Sequence, residues 1–247
     1  MFDKRFELNS PNGYRIMCKS TGLKAGSPVV VCVHGIGGSK ESSVITALAE
    51  RLEKRGTEVI TFDWPAHGES PVGEDFLTVE NCLRDLSAVL DHVISGSPPH
   101  IFAFATSFGG YLTAQFRNRH PEAFKKTVLR SPALRMDKVV RTILTEEEFA
   151  KLKNGDVHNF GFARPLMLGM SFYKDILAHD AYEAPATAPG SVMIIQGDMD
   201  EVVDPADTLA YAGKNGIIIN IIEGAGHLYE HPGEREQIID LADGFLV

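Results

Sequence analysis

Ser107 lies where an apolar run at residues 100–105, which predicts a buried strand, meets a segment that predicts a helix ending near His120. A sharp turn between a strand and a helix holds its central residue in a strained conformation and points that side chain out of the sheet edge. The small residues Ala105 and Gly109 on either side allow the strand and the helix to approach each other closely. A serine hydroxyl in this position is a candidate nucleophile for acyl transfer.

A serine hydroxyl also needs a base that takes its proton and a third group that orients the base. Among the nine histidines, His227 directly follows a predicted strand at residues 216–222 and a stretch of small residues. The nearest rival, His231, precedes Pro232 and is expected to start the last helix. We therefore predict that His227 is the general base.

Three aspartates follow the predicted strand at residues 192–195 and are candidates for the orienting acid: Asp198, Asp200 and Asp204. Asp204 precedes Pro205, and this pair is typical of the N-cap and the first residue of a helix. Asp198 and Asp200 are not separated by their chemistry or position. With either aspartate, the three residues occur along the chain in the order serine, acid, histidine. This is the order expected when the nucleophile lies in a strand-to-helix turn.

A glycine-rich segment, Gly35-Ile36-Gly37-Gly38, follows His34 and the first buried β-branched run at residues 28–33. Such a turn can direct a backbone N–H toward an oxygen that becomes negatively charged during the reaction. We predict the N–H groups of Ile36 and Phe108 as the two donors of an oxyanion hole. A phosphate-binding loop is the alternative, but the G-x-G-x-x-G pattern is absent.

Strands and helices alternate along most of the chain, which predicts an α/β fold with a doubly wound, mostly parallel sheet in one domain over residues 1–247. Because parallel strands end at the same edge of the sheet, the loops that follow them meet there. The eight predicted strands are residues 4–8, 14–20, 28–33, 57–62, 100–105, 127–129, 192–195 and 216–222.

The alternation is interrupted after the sixth strand, at about residues 133–188, where we predict a small helical cap. Thr145 begins a capping-box pattern, and residues 165–178 predict a further helix. An ordinary helical excursion at the sheet edge is the alternative. Apolar side chains in this segment could line a substrate pocket or form the segment's own core. They are Phe160, Phe162, Met167, Met170 and Phe172.

The formal net charge of −9 argues against a nucleic-acid partner, which would require a basic surface. No apolar run approaches the roughly 20 residues of a membrane span, and no apolar signal segment stands at the N-terminus. Three scattered cysteines fit a reducing compartment, so we expect a cytoplasmic protein. The sequence is compatible with a homodimer, and we expect a small-molecule substrate.

Taken together, these motifs resemble the α/β-hydrolase superfamily over nearly the whole chain. They are His34-Gly35 with the glycines that follow, the segment from Asp63 to Ser70, the turn at Ser107, and Asp200 with His227. The family's acid stands three residues after a glycine and three before a valine. The spacing of Gly197, Asp200 and Val203 therefore selects Asp200 over Asp198 by resemblance. Ala66 and Ala105 stand where glycine is commoner in the family, and Thr106 before the nucleophile is unusual.

Within the superfamily, the chain is similar to the small capped group that includes monoacylglycerol lipases and cinnamoyl (feruloyl) esterases. This resemblance implies hydrolysis of carboxylic esters through an acyl-enzyme on Ser107, with no metal and no organic cofactor. A peptidase or amidase, and a thioesterase, with the same three residues are the alternatives. A non-catalytic ligand-binding protein on the same fold is the competing class.

Overall fold

The structure, a computed structural model, describes residues 2–22, 24–161 and 164–247. Eight strands form one sheet in the order β1-β2-β4-β3-β5-β6-β9-β10, and β7 pairs with β8 separately. The strands are β1 Lys4–Asn9, β2 Arg15–Ser20, β3 Val29–Val33, β4 Glu58–Phe62, β5 Ile101–Thr106, β6 Lys126–Arg130, β7 His158–Asn159, β8 Met167–Leu168, β9 Val192–Gly197 and β10 Ile218–Ile222. Only β1–β2 and β2–β4 are antiparallel in the large sheet, so the predicted mostly parallel, eight-stranded sheet is confirmed.

Helices cover both faces of this sheet. They are α1 Ser43–Lys54, α2 Val79–Ser95, α3 Phe108–Arg119, α4 Met136–Ile143, α5 Glu146–Lys153, α6 Met170–Ala178, α7 Pro205–Asn215 and α8 Glu234–Leu246. Asp204 is the N-cap of α7, where its carboxylate accepts a hydrogen bond from the N–H of Ala206 at 2.9 Å, as the sequence predicts. No helix in the described part of the chain combines the length and apolarity needed to cross a membrane.

The core lies in two layers because successive side chains of a strand point to opposite faces. In β3, Val31 and Val33 belong to the layer under α2 and α3, whereas Val30 and Cys32 belong to the layer under α1 and α8. Every residue of β3 is buried. Fully burying an aliphatic side chain of this size contributes about 1.5–3 kcal/mol, so the central strands are held firmly between the two layers.

The segment between β6 and β9 contains α4, α5, α6 and the short β7–β8 pair. The predicted helix at residues 165–178 is wrong in its first part, because the helix begins only at Met170. The preceding residues are held in a hairpin, in which the Phe160 N–H donates to the Leu166 carbonyl and the Leu166 N–H donates to Asn159 Oδ1, both at 2.9 Å. The limits of a cap at residues 133–188 stay a prediction.

The same segment is anchored to loops near the carboxyl edge of the sheet, the edge at which the parallel strands end. The Arg164 guanidinium donates to the carbonyls of Gly68 and Ser70, each at 3.1 Å. The carboxylate of Asp175 accepts from the first N–H of α2, that of Val79, at 2.7 Å. These bonds place α6 and the hairpin beside the elements that carry the candidate site.

Candidate active site

Ser107 is the single residue between β5 and α3, and its backbone has φ 51° and ψ −117°. A positive φ is strained for a residue with a side chain, and such strain persists only where the surroundings hold it. The Ser107 N–H donates to the Arg130 carbonyl at 2.9 Å, and the Ser107 carbonyl accepts from Tyr111 and Ala133, each at 3.1 Å. Gly109 permits the close approach of α3 to the end of β3, since a Cβ there would lie 2.5 Å from the His34 carbonyl oxygen.

The structure brings Ser107, His227 and Asp200 together in one chain of hydrogen bonds. The distance from His227 Nε2 to Ser107 Oγ is 3.1 Å, and that from His227 Nδ1 to Asp200 Oδ2 is 2.9 Å. The exposed fractions are 7% for Ser107, 8% for His227 and 6% for Asp200. An imidazole nitrogen therefore lies within hydrogen-bond reach of the serine hydroxyl, and all three side chains are buried.

Asp200 is held by several donors in addition to His227. Its Oδ1 accepts from the N–H groups of Val202 at 3.0 Å and Val203 at 2.8 Å, and its Oδ2 accepts from Gln196 Nε2 at 2.9 Å. Burial by itself would raise the pKa of Asp200, but the hydrogen bond and charge of His227 and the Val203 N–H outweigh it and lower that pKa. The carboxylate is therefore ionised at neutral pH.

Asp198, the other candidate acid, has a different role in the loop. It is exposed, and its Oδ1 accepts from the Gly224 N–H at 2.6 Å. The structure therefore brings Asp200 to the histidine and leaves Asp198 as a brace between two loops.

The glycine-rich segment passes directly against the serine. A Cβ on Gly35 would lie 3.1 Å from the Cβ of Ser107. In the part of the chain that the structure describes, the Ile36 N–H has no acceptor. Phe108 is the first residue of α3, so its N–H has no partner within the helix. Their role as the two donors of an oxyanion hole stays a prediction.

Two buried histidines hold the glycine-rich segment in place, a role that no pattern in the sequence indicates. His67 Nε2 accepts from the Gly37 N–H at 3.0 Å while its Nδ1 faces the Pro65 carbonyl at 2.9 Å. His34 Nε2 similarly accepts from the Trp64 N–H at 3.3 Å. Burial lowers the pKa of His34 to about 4 and, with the charge of His34, that of His67 to about 3. Both rings are therefore neutral and able to accept these bonds.

A buried ion pair fastens the end of the same segment. Lys40 is 1% exposed, and its Nζ lies 2.5 Å from Asp63 Oδ2 and 2.6 Å from Glu69 Oε2. Asp63 also accepts from the backbone N–H groups of Lys40 and Glu69. The motif from Asp63 to Ser70 was visible in the sequence, but this bracing function depends on contacts between distant parts of the chain.

The predicted apolar pocket residues have different surroundings. Phe172 is buried, with its ring centroid 6.0 Å from that of Phe108. Phe160 is buried beside His158, Met170 is partly buried in the same core layer, and Met167 is 41% exposed. Phe162 lies outside the described residues. A role of these side chains in substrate binding stays a prediction.

No group of three or more His, Cys, Asp or Glu side chains in residues 2–22, 24–161 and 164–247 could hold a metal ion. A family model described as serine aminopeptidase, S33, matches residues 25–159, which is more than half of the chain. The chain belongs to this S33 family. No curated protein matches the chain.

Solved structures similar to this S33 family chain agree on the fold. Est1E from Butyrivibrio proteoclasticus with ferulic acid bound has a TM-score of 0.81 at 20% identity, covering 97% of each chain. Alpha/beta hydrolase domain-containing protein 10 from mouse has a TM-score of 0.79 at 20% identity, covering 98% of this chain and 97% of its own. A monoacylglycerol lipase from Paleococcus ferrophilus has a TM-score of 0.67 at 22% identity, covering 94% and 98%. The chain is an α/β-hydrolase of the serine hydrolase type.

Proposed function

We propose that this protein hydrolyses carboxylic esters through an acyl-enzyme formed on Ser107. The observation that carries the proposal is the hydrogen-bonded series Ser107 Oγ, His227 and Asp200, with distances of 3.1 and 2.9 Å. A hydroxyl aligned with a neutral imidazole, which a buried carboxylate orients, is the arrangement that makes serine nucleophilic.

In the first half of the reaction, His227 Nε2 takes the hydroxyl proton while Ser107 Oγ attacks the ester carbonyl carbon. The N–H groups of Ile36 and Phe108 stabilise the resulting oxyanion. His227 then gives the proton to the leaving alcohol, and the acyl group remains on Ser107. In the second half, His227 removes a proton from water, which attacks the acyl carbon and releases the carboxylic acid.

Asp200 keeps the proton of the neutral imidazole on Nδ1, so that Nε2 is free to act as the base. It also stabilises the imidazolium that forms in each half of the reaction. The lowered pKa of Asp200 supports this role, because the carboxylate stays charged while the histidine is protonated.

An apolar acyl or aryl group suits the surroundings of the serine. Phe172 of α6 packs against Phe108, the residue that follows the nucleophile. Among the similar structures, Est1E was solved with ferulic acid, an aryl acid, and another is a monoacylglycerol lipase. These resemblances support an ester of a bulky apolar or aryl acid as the substrate.

Peptide hydrolysis is the second candidate, because the matching family is described as serine aminopeptidases. The two activities are separated by comparing a p-nitrophenyl ester with the p-nitroanilide of the same acyl group. We expect a higher kcat/KM for the ester. A higher value for the anilide would favour the peptidase.

The nucleophile is tested with a fluorophosphonate probe, which labels activated serines. We expect wild type and the exposed control Ser95→Ala to be labelled, and Ser107→Ala to be neither labelled nor active. Residual ester turnover above about a hundredth of wild type in Ser107→Ala would contradict the assignment, since loss of such a residue costs far more.

A further inference from the structure

A polar cleft of about 180 Å³ lies between the beginnings of α1 and α8. Its walls include Ser42, Ser43, Arg130, Tyr229 and Arg235, and none of the described residues that line it is acidic. α1 follows β3 in the chain, Arg130 ends β6, and Tyr229 follows β10. The cleft is therefore at the same carboxyl edge of the sheet as Ser107.

Arg130 is a buried cation without a carboxylate partner in the cleft wall. It is 8% exposed, its Nη2 donates to the His227 carbonyl at 2.7 Å, and its guanidinium lies 4.3 Å from the centroid of the Tyr229 ring. Its Nε is buried with no hydrogen-bond partner among the described residues. Burial lowers the pKa of Arg130, although guanidinium groups stay protonated in proteins. The charge of Asp200 acts on this guanidinium but does not offset the cost of burial, so an anion in the cleft would add to the compensation.

Arg235 is a second guanidinium in the same wall. It is exposed and forms no ion pair or hydrogen bond within the described ranges 2–22, 24–161 and 164–247. By contrast, Arg51 in α1 and Arg55 at the end of α1 form ion pairs with carboxylates of α8. Arg55, for example, lies 2.6 Å from Asp243. In a chain with a net charge of −9, two arginines that form no ion pair with any described residue therefore line the same cleft.

The N-terminus of α1 adds backbone N–H donors, which carry partial positive charge like the two arginines. Ser42 is the N-cap, yet its side chain makes no capping bond, and the first turn contains no acidic residue. The N–H groups of residues 43–45 have no acceptor in the structure as described. Unpaired N–H groups and the helix dipole together attract anions.

We propose that this cleft binds an oxyanion, a phosphate or carboxylate group, between the first turn of α1 and the guanidinium groups of Arg130 and Arg235. The cleft adjoins the candidate active site, because Arg130 bonds directly to the backbone of His227. The bound group is either a free anion or the charged end of a substrate held at Ser107. Binding itself does not depend on the proposed ester hydrolysis.

The test is calorimetric titration of inorganic phosphate into the whole protein, with ionic strength held constant by sodium chloride. The variants are Arg235→Gln and the matched control Arg84→Gln, an exposed arginine whose hydrogen bond within the described chain is to Asn12. We expect saturable one-to-one binding that Arg235→Gln weakens roughly tenfold or more, because it removes a charge-assisted hydrogen bond, whereas Arg84→Gln has little effect. Ser107→Ala should bind phosphate as wild type does.

Absence of saturable binding to wild type, or equal weakening by Arg235→Gln and Arg84→Gln, would overturn the proposal. The origin of the anion is then found by measuring how phosphate inhibits the hydrolysis of two esters. One is the neutral p-nitrophenyl acetate, and the other is the negatively charged p-nitrophenyl hemisuccinate. Competition against the charged ester alone, with an inhibition constant equal to the measured Kd, assigns the cleft to a substrate carboxylate. Equal effects on both esters assign it to a free anion, and either pattern supports the site.

Discussion

Replacing Asp200 with asparagine should disable the histidine while leaving the loop nearly unchanged. In the wild type, Asp200 Oδ1 accepts from the N–H groups of Val202 and Val203, and Oδ2 accepts from Gln196 Nε2. The amide oxygen of an asparagine must stay with the two backbone donors. Its NH₂ group then occupies the position of Oδ2 and faces His227 Nδ1.

An NH₂ group can only donate, so His227 Nδ1 must become the acceptor and the ring proton must move to Nε2. In that tautomer the proton faces Ser107 Oγ, and Nε2 cannot take the hydroxyl proton. The same substitution costs about 10⁴-fold in kcat in a well-studied serine protease. At 1.36 kcal/mol for each tenfold change, this equals about 5 kcal/mol of transition-state stabilisation.

The fold should lose much less, about 1–3 kcal/mol, because the introduced NH₂ group would oppose the NH₂ group of Gln196. The lowered pKa of Asp200 means that its ionised form stabilises the wild type. This contribution is fully present above the unfolded-state pKa of about 3.9 and is lost as the pH falls through the lower folded-state value. The stability difference between wild type and Asp200→Asn should therefore shrink in acid.

The assay is kcat for p-nitrophenyl acetate at pH 7–8, with circular dichroism to confirm folding. Asp198→Asn is the matched control, since this exposed carboxylate bonds to the Gly224 N–H and not to His227. We expect the control to keep most of its activity. The reasoning would be refuted if Asp200→Asn kept more than about a tenth of wild-type kcat, or if Asp198→Asn lost as much as Asp200→Asn did.

Three further predictions concern other parts of the molecule. Burial raises the pKa of Asp85 to about 6, so the folded protein binds the carboxyl proton of Asp85 more tightly than the unfolded chain does. The free energy of unfolding should therefore fall as the pH rises from about 4 to 6. In urea titrations, Asp85→Asn should lack this dependence on pH. His67→Phe removes the acceptor of the Gly37 N–H and should lower kcat by up to about 100-fold with little change in KM, because the oxyanion donors act in the transition state; an unchanged kcat would contradict the bracing role. Met170→Ala should reduce kcat/KM for bulky aryl esters by about 10–200-fold, equivalent to about 1–3 kcal/mol, and spare acetate esters. Equal loss on both substrates would contradict a role in selectivity.

Much of the fold and most of the candidate site follow from local patterns. Local patterns predict all eight strands of the large sheet, the first two from the turn at residues 11–13 and the inner ones from apolar runs. Asp204-Pro205 predicts the start of α7, because capping depends on neighbouring residues. The turn at Ser107 is also local, since a strand end, a small residue and a helix start adjoin there. The order of Ser107, an aspartate and His227 along strands that end at one edge predicts that they meet, and the family spacing selects Asp200 as that aspartate.

Only the tertiary structure decided the features that depend on distant partners. Residues 167–168 could have started a helix, but they pair with residues 158–159, and the hydrogen bond from the Phe160 N–H to the Leu166 carbonyl closes the hairpin. Asp198 and Asp200 have the same chemistry; the family spacing favours Asp200, but the physical reason is that the loop turns the carboxylate of Asp200 toward His227. Likewise, whether a buried cation forms an ion pair with a carboxylate depends on which chain segments pack around it. Lys40 meets Asp63 across 23 residues, whereas Arg130 meets carbonyl and aromatic groups in the described part of the chain, and no periodicity in the sequence encodes that difference.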